Sequence, residues 1–226
     1  MHVHGRQSTA DDTRDRLVEA AEMLMAEHGV DAVSLREINR AAGAKNAVAV
    51  QYHFTDRAGI VKAIFAKHFP SVDARRHAML DEYEASGAAD IRLLAAALVR
   101  PLASKLDDTD GGLAYLQIYA ELINLPRRGT GGELETSRDS VQRWRLLVEP
   151  FIGDDAVALH RRFAAIRFSA SELGRRARTG PHRDDRLFVS DLIDLVAGML
   201  SAAPSDETTR LMKERDKARA TKAAKR

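Results

Sequence analysis

Apolar residues recur along this chain at the three- and four-residue spacing of one helix face, and no segment sustains the alternation of a half-buried strand. The pattern predicts helix nearly throughout, an all-α fold. Leu17, Ala21, Leu24, Met25 and His28 share one face of a first helix over 11–28, stopped at Gly29, where glycine can turn left-handed without strain. In Val33-Ser34-Leu35-Arg36-Glu37-Ile38, Ser34 can cap a second helix, Glu37 can close a capping box and Val33 can staple onto Ile38. That helix is short and ends at Ala42-Gly43. A further short helix is expected over 46–53, before Thr55-Asp56 caps a longer one. Two short helices meeting at a glycine make a candidate helix-turn-helix.

From Thr55 the apolar face runs through Ile60, Val61, Ile64, Phe65, His68 and Phe69 to Pro70, which should kink or split the helix, with 75–85 as its continuation. Further helices are expected over 89–105, 113–125, 134–151, 154–178 and 183–203, punctuated by Gly, Pro and Asp. Pro101 predicts a bend or an early stop in the first of these. No internal repeat is found.

A chain of 226 residues has room for one large domain or two small ones, and 45% hydrophobic with 30% charged residues describes an ordered, helix-leaning globular protein. The absence of cysteine excludes disulfides, thiolate metal sites and a cysteine nucleophile, and suits a reducing cytoplasm. Near the C-terminus the longest charge-free run, 195–204, falls short of the roughly 18 apolar residues of a membrane span. The N-terminal stretch has no apolar h-region, so the expected location is cytoplasmic. A net charge of +2 conceals an uneven distribution: residues 206–226 hold eight basic and four acidic side chains. With no large apolar residue after Met212, that basic tail is expected to be frayed helix or disorder.

Other chemistries find little support. Asp107-Asp108-Thr109-Asp110-Gly111-Gly112 lacks the acidic pattern and closing Glu of a calcium loop, and reads as a capped inter-helix loop. Gly129-Thr130-Gly131-Gly132 follows no strand and precedes no Lys-Ser or Lys-Thr, so it reads as a linker rather than a phosphate loop. There is no HExxH, no histidine pair at i, i+4 and no GxSxG. The expectation is no metal, no cofactor, no catalytic residue and no enzyme.

Ala26-Glu27-His28-Gly29, the capping segment at 33–38, Ala41-Ala42-Gly43, Tyr52-His53-Phe54 and Asp56-Arg57 follow one another in order, and residues 14–65 resemble the DNA-binding region of TetR-type transcriptional regulators. The chain departs from the usual pattern in having one more residue between Gly43 and Phe54, Gln51 in place of a frequent aromatic, and Asn39 in place of alanine. The reading that follows has a flexible arm over 1–10, a three-helix helix-turn-helix DNA-binding domain over 11–56, a larger helical ligand-binding and dimerisation domain over 57–204, and the basic tail over 205–226.

A helix-turn-helix lays its second helix in the major groove with N-terminal residues against base edges. Lys45 and Asn46 supply donors there. Ala47, Val48, Ala49 and Val50 are expected to alternate between the core and thymine methyls, and Gln51 can bond an adenine edge. Ser34, Arg36, Tyr52 and Thr55 lie where phosphates would be met. His53 and Phe54 read as packing residues, with His53 also in reach of the DNA backbone. One difficulty is the charge of residues 1–54, six basic and eight acidic, where a DNA reader is normally helped by a basic surface.

Leu159, Phe163, Ile166, Ala170 and Leu173, with Phe188, Leu192, Leu195, Val196 and Met199, form two helical stripes that could pair within the chain or with a second copy. The resemblance favours a homodimer on a palindromic double-stranded operator, with half-sites about 34–36 Å apart. It also implies a small-molecule effector between the middle helices that shifts the spacing of the two DNA-reading heads. Leu98, Leu102, Tyr115, Tyr119, Leu122, Trp144, Leu147, Phe151 and Phe163 are candidate pocket walls, with Arg167 or His160 as polar anchors, in surroundings suited to a hydrophobic or acyl-type ligand. The expected function is a homodimeric repressor released from its operator by such a ligand. The alternative is a helical small-molecule-binding protein with weak or lost operator binding, suggested by the acidic head and the longer turn.

Overall fold

The computed structural model describes residues 4–44, 49–124, 139–153 and 159–223, with side chains described for residues 12–44, 49–124, 140–153 and 159–221. Among them are ten α-helices and no strand. In chain order these are α1 (His4–His28), α2 (Leu35–Ala41), α3 (Ala49–Phe54), α4 (Arg57–Ser86), α5 (Ile91–Ala103), α6 (Gly112–Asn124), α7 (Asp139–Val148), α8 (Arg161–Arg178), α9 (Arg186–Ser201) and α10 (Asp206–Ala223). Single 3-10 turns at Ser104–Leu106 and Glu149–Phe151 follow α5 and α7.

Two elements differ from the sequence expectations for local reasons, and a third, the tail, takes the helical alternative. Residues 4–10 continue α1 and do not form a separate arm. Helix α4 runs unbroken through Pro70. The proline faces solvent, where water can satisfy the carbonyl it leaves unbonded, while His68 and Val72 on either side are buried and hold the helix in register. Residues 206–223 of the tail are helical. Ser205 accepts from Thr208 N–H at 3.3 Å at its start, Asp206 and Glu207 stand in its first turn, and Arg210 pairs with Glu214 at 2.8 Å.

Helix α4 joins an N-terminal head, α1 to α3, to a body built from α5 to α9. In the body α6 lies along α8, and α5 is sandwiched by α4 and α9. Helix α1 packs on α6 as well as on α2, so head and body share one apolar cluster running from Leu17 to Leu200. Trp144 is fully buried and donates its indole N–H to the Leu94 carbonyl at 2.8 Å, fastening α7 to α5.

Candidate functional site

The head closes on Leu17, Ala21, Val33, Ile38, Val50 and Phe54. The capping box is formed: Ser34 Oγ accepts from Glu37 N–H at 3.3 Å, and Ser34 N–H donates to Glu37 Oε2 at 2.8 Å. Hydrogen bonds from the Ser34 hydroxyl and N–H hold the Glu37 carboxyl below its ordinary pKa. Gly43 takes φ +60 in the turn between α2 and α3, a left-handed geometry that a side chain would strain.

Asn39 is the clamp of this turn. Its side chain is 6% exposed, and Oδ1 accepts from Val50 N–H at 3.1 Å, tying the first turn of α3 to α2. Sequence reasoning noted the residue only as a departure from alanine. The signal was there, since an amide on an otherwise apolar face needs a partner.

The corner between α3 and α4 has equally strict terms. Asp56 caps α4 by accepting from Gly59 N–H at 2.9 Å, and a Cβ at Gly59 would lie 1.9 Å from the Phe54 carbonyl oxygen, so only glycine lets the two helices approach this closely. Arg57 donates to the Val33 carbonyl at 2.8 Å and reaches Asp31 at 3.4 Å. The Arg14 guanidinium stands 5.3 Å from the centre of the Phe54 ring.

On this frame Ser34, Arg36, Gln51, Tyr52 and Thr55 all face solvent. Tyr52 is 81% exposed and meets His53, which is half-buried, edge to face at 5.0 Å. The Ser34 hydroxyl is already committed to Glu37, as acceptor and as donor at 2.7 Å. Lys45, Asn46, Ala47 and Val48 lie outside the described residues. Ala49 and Val50 are both buried, which corrects the expected alternation: neighbours on a helix are only about 100° apart, so both fit its broad inner face.

The acidic balance of the head is answered from α4. Glu22 is 3% exposed on α1, with its carboxylate 2.8 Å from His68 Nε2 and 3.0 Å from Lys67 Nζ. Lys67 also reaches Asp110 at 2.7 Å, and Asp31 faces Arg57. From α6, Glu121 accepts the Val30 N–H through both oxygens, at 3.0 and 3.2 Å, fixing the turn between α1 and α2 to the body.

In the body Leu98, Leu102, Tyr115, Leu122 and Trp144 are buried, and Tyr119, Leu147 and Phe151 are partly so. Phe163, Arg167 and His160 are exposed. Arg167 donates to Asn124 Oδ1 at 2.9 Å and lies over the Phe163 ring at 5.7 Å, so the structure does not bring it into the core with the other candidates. A buried cation that sequence reasoning missed is Arg76 on α4. It stands at the four-residue spacing of His68, Val72 and Leu80, a charged side chain on a core stripe. Burial holds the Arg76 pKa below its ordinary value and pushes that of Tyr115 well above.

The stripes proposed for a dimer face need correction. Ile166, Ala170, Leu173, Leu192 and Val196 are buried within the chain, because the inner faces of α8 and α9 already pack on α6 and α5. Helical periodicity marks a buried face without naming its partner. Leu159, Phe188 and Met199 are partly buried, and only Phe163 and Leu195 remain exposed, beside Leu187.

The loop after α5 is tied by Asp108, which accepts from Lys105 Nζ at 2.8 Å and from Asp110 N–H at 2.9 Å. Among the described residues no group of three or more His, Asp or Glu is placed to hold a metal ion. No single described helix is long and apolar enough to cross a membrane. The residues of the glycine-rich segment 129–132 lie outside the described residues.

No curated protein matches the chain. Among solved structures it is similar to the fatty acid degradation regulator FadR from Bacillus halodurans, at 15% identity and a TM-score of 0.53, over 84% of this chain and 99% of that one. A structure described as a putative TetR-family transcriptional regulator from Rhodococcus sp. aligns at 20% identity and a TM-score of 0.43, over 83% of this chain and 99% of that one. The superantigen PfiT aligns at 20% identity and a TM-score of 0.47, over 83% and 95%. At such identities the first likeness concerns the fold, and the other two carry no argument. The sequence of the head is matched by the family model described as bacterial regulatory proteins, tetR family, at residues 17–64. That stretch holds the capping box, the glycine turn and the α3–α4 corner, and it is a helix-turn-helix region of the TetR family.

Proposed function

We propose that this protein is a DNA-binding transcriptional regulator, a homodimeric repressor released from a palindromic operator by a small, largely hydrophobic ligand. The observation that carries the reading is the head: Gln51, Tyr52, Thr55 and Arg36 face solvent together on a frame held rigidly by Asn39, Ser34–Glu37 and Arg57. A positioned polar edge of this kind suits major-groove reading, with phosphate contacts setting the register. In this reading Lys45, Asn46 and Ala47 meet base edges, and His53 supports Tyr52 from behind. The burial of Glu22 under Lys67 and His68 removes one acid from the DNA-facing side. The second copy would dock on the outer faces of α8 and α9, where Phe163, Leu187 and Leu195 are exposed.

The test is binding of the purified protein to DNA from upstream of its own gene, at two salt concentrations and against excess nonspecific DNA. A discrete complex is expected, with a salt slope of about −0.9 per phosphate neutralised. If that fragment and a genome-wide fragment selection both yield nothing, the alternative of a ligand-binding protein without an operator replaces this reading.

A further inference from the structure

His68, Val72, Arg76 and Leu80 follow one another at intervals of one turn along the buried side of α4, and a guanidinium occupies a position where the periodicity asks for a leucine. Arg76 is 4% exposed. Its Nη1 donates to Ser140 Oγ at 3.1 Å, its Nε has no hydrogen-bond partner, and among the described residues no carboxylate lies within ion-pair distance. Asp73, which acts electrostatically on the guanidinium, is engaged by the Ser140 hydroxyl. Tyr119 and Tyr115 of α6 stand within electrostatic reach of the guanidinium. Tyr115 is fully buried, and its hydroxyl too has no hydrogen-bond partner.

A buried guanidinium whose Nε has no hydrogen-bond partner and a buried phenol without an acceptor are each unfavourable in isolation. Both are donors, and together they complement one kind of group, an acceptor bearing negative charge. With Nη1 turned to Ser140, the guanidinium keeps Nε as a donor, and the Nε–Nη2 edge to which it belongs has the two parallel donors that match the two oxygens of a carboxylate. The phenol supplies a third donor. On the apolar side, the Phe65 ring lies 5.4 Å from that of Tyr115.

We infer that Arg76 and Tyr115 form the anion-receiving end of the effector site, and that the effector is a small apolar molecule bearing a carboxylate. The inference rests on the regulator reading for its consequence at DNA, and on the geometry alone for binding. That consequence has a short route. The Tyr115 ring stacks on His68 at 4.7 Å, and His68 Nε2 lies 2.8 Å from Glu22 of α1, so a ligand that draws the phenol toward itself disturbs the contact holding the head to α4.

The full-length protein is titrated with decanoate and benzoate, each against its alcohol, decanol and benzyl alcohol. Calorimetry and the emission of the single tryptophan, Trp144, report binding. At least one acid is expected to bind tenfold or more tightly than its alcohol, with Arg76→Met abolishing the preference and Tyr115→Phe weakening the acid several-fold while leaving the alcohol unchanged. Arg76→Met should also raise the melting midpoint of the ligand-free protein, since it removes a buried charge whose Nε has no hydrogen-bond partner. Equal affinity for acid and alcohol, no binding of any of the four, or wild-type affinity for the acid in Arg76→Met overturns the inference. If Arg76→Met does not fold, Arg76→Lys decides, because it keeps the charge and loses the fork: unchanged acid affinity overturns the site, and loss supports it. Operator binding in the same samples separates the two readings. DNA bound without any acid bound sinks the site alone, whereas acid bound without DNA sinks the regulator and leaves the site standing.

Discussion

Helices α2 and α3 of the head have seven and six residues, while α4, α5 and α6 have 30, 13 and 13. Helices as short as the first two are not stable alone. Their positions depend on a few polar clamps: the Ser34–Glu37 box, the Asn39 side chain on Val50 N–H, and the Arg57 guanidinium on the Val33 carbonyl. The body relies on area, with Trp144, Tyr115, Leu94, Leu116, Ile118 and Leu173 fully buried between long helices. Individual hydrogen bonds therefore matter most in the head, where they set the geometry of an exposed edge. In the body any one of them is a small part of the whole, and the exception is Arg76, whose buried Nε has no hydrogen-bond partner.

The largest expected effect comes from attacking the body. Trp144→Ala removes a fully buried indole and its hydrogen bond to Leu94 and should destabilise the protein by about 3–5 kcal/mol, with urea unfolding shifting for head and body alike. Next is Asn39→Ala, which leaves the Val50 amide buried without its acceptor, at a cost of about 1–3 kcal/mol. Here the comparison predicts a local loss: amides of α2 and α3 should exchange faster with solvent while those of α5 and α8 keep their protection. Uniform acceleration across both regions would erase the distinction between clamp and core.

Replacing Gln51 and Tyr52 by alanine sharpens the contrast from the functional side. Both are exposed, so stability should stay within about 0.5 kcal/mol, while operator affinity falls about tenfold or more. Unchanged affinity in a gel-shift titration would remove them from the DNA-facing edge. The smallest effect concerns the capping box. Because the folded pKa of Glu37 is lowered, its contribution is present above the unfolded value near 4.5 and is lost as pH falls through the folded value. Head helicity measured between pH 5 and pH 3 should decline accordingly in the native protein, and that slope should flatten in Ser34→Ala.

Much of the head was readable because its signals are local. The box at Ser34–Glu37, the glycine at 43 and the Asp56 cap each act within four residues of themselves, and the structure forms all three. Asn39 and Arg57 were not readable in role, since their partners Val50 and Val33 are 11 and 24 residues away. Of the kink or split expected at Pro70, the split does not occur, for a related reason. Proline lowers the intrinsic stability of a helix, but whether the helix breaks depends on what its two flanks bury.

The sequence by itself determined an all-helical chain, the order and approximate limits of its helices, and a helix-turn-helix head, because turn chemistry and a 3.6-residue apolar period are properties of short segments. Only the tertiary structure decided partners. It assigned the inner stripes of α8 and α9 to α6 and α5 rather than to a second copy, and it set Glu22 against His68 and Glu121 against the Val30 amide. It left Arg167 at the surface and enclosed Arg76 beside Tyr115. Periodicity tells a residue that it will be covered, and only the packing of helices distant in sequence determines by what.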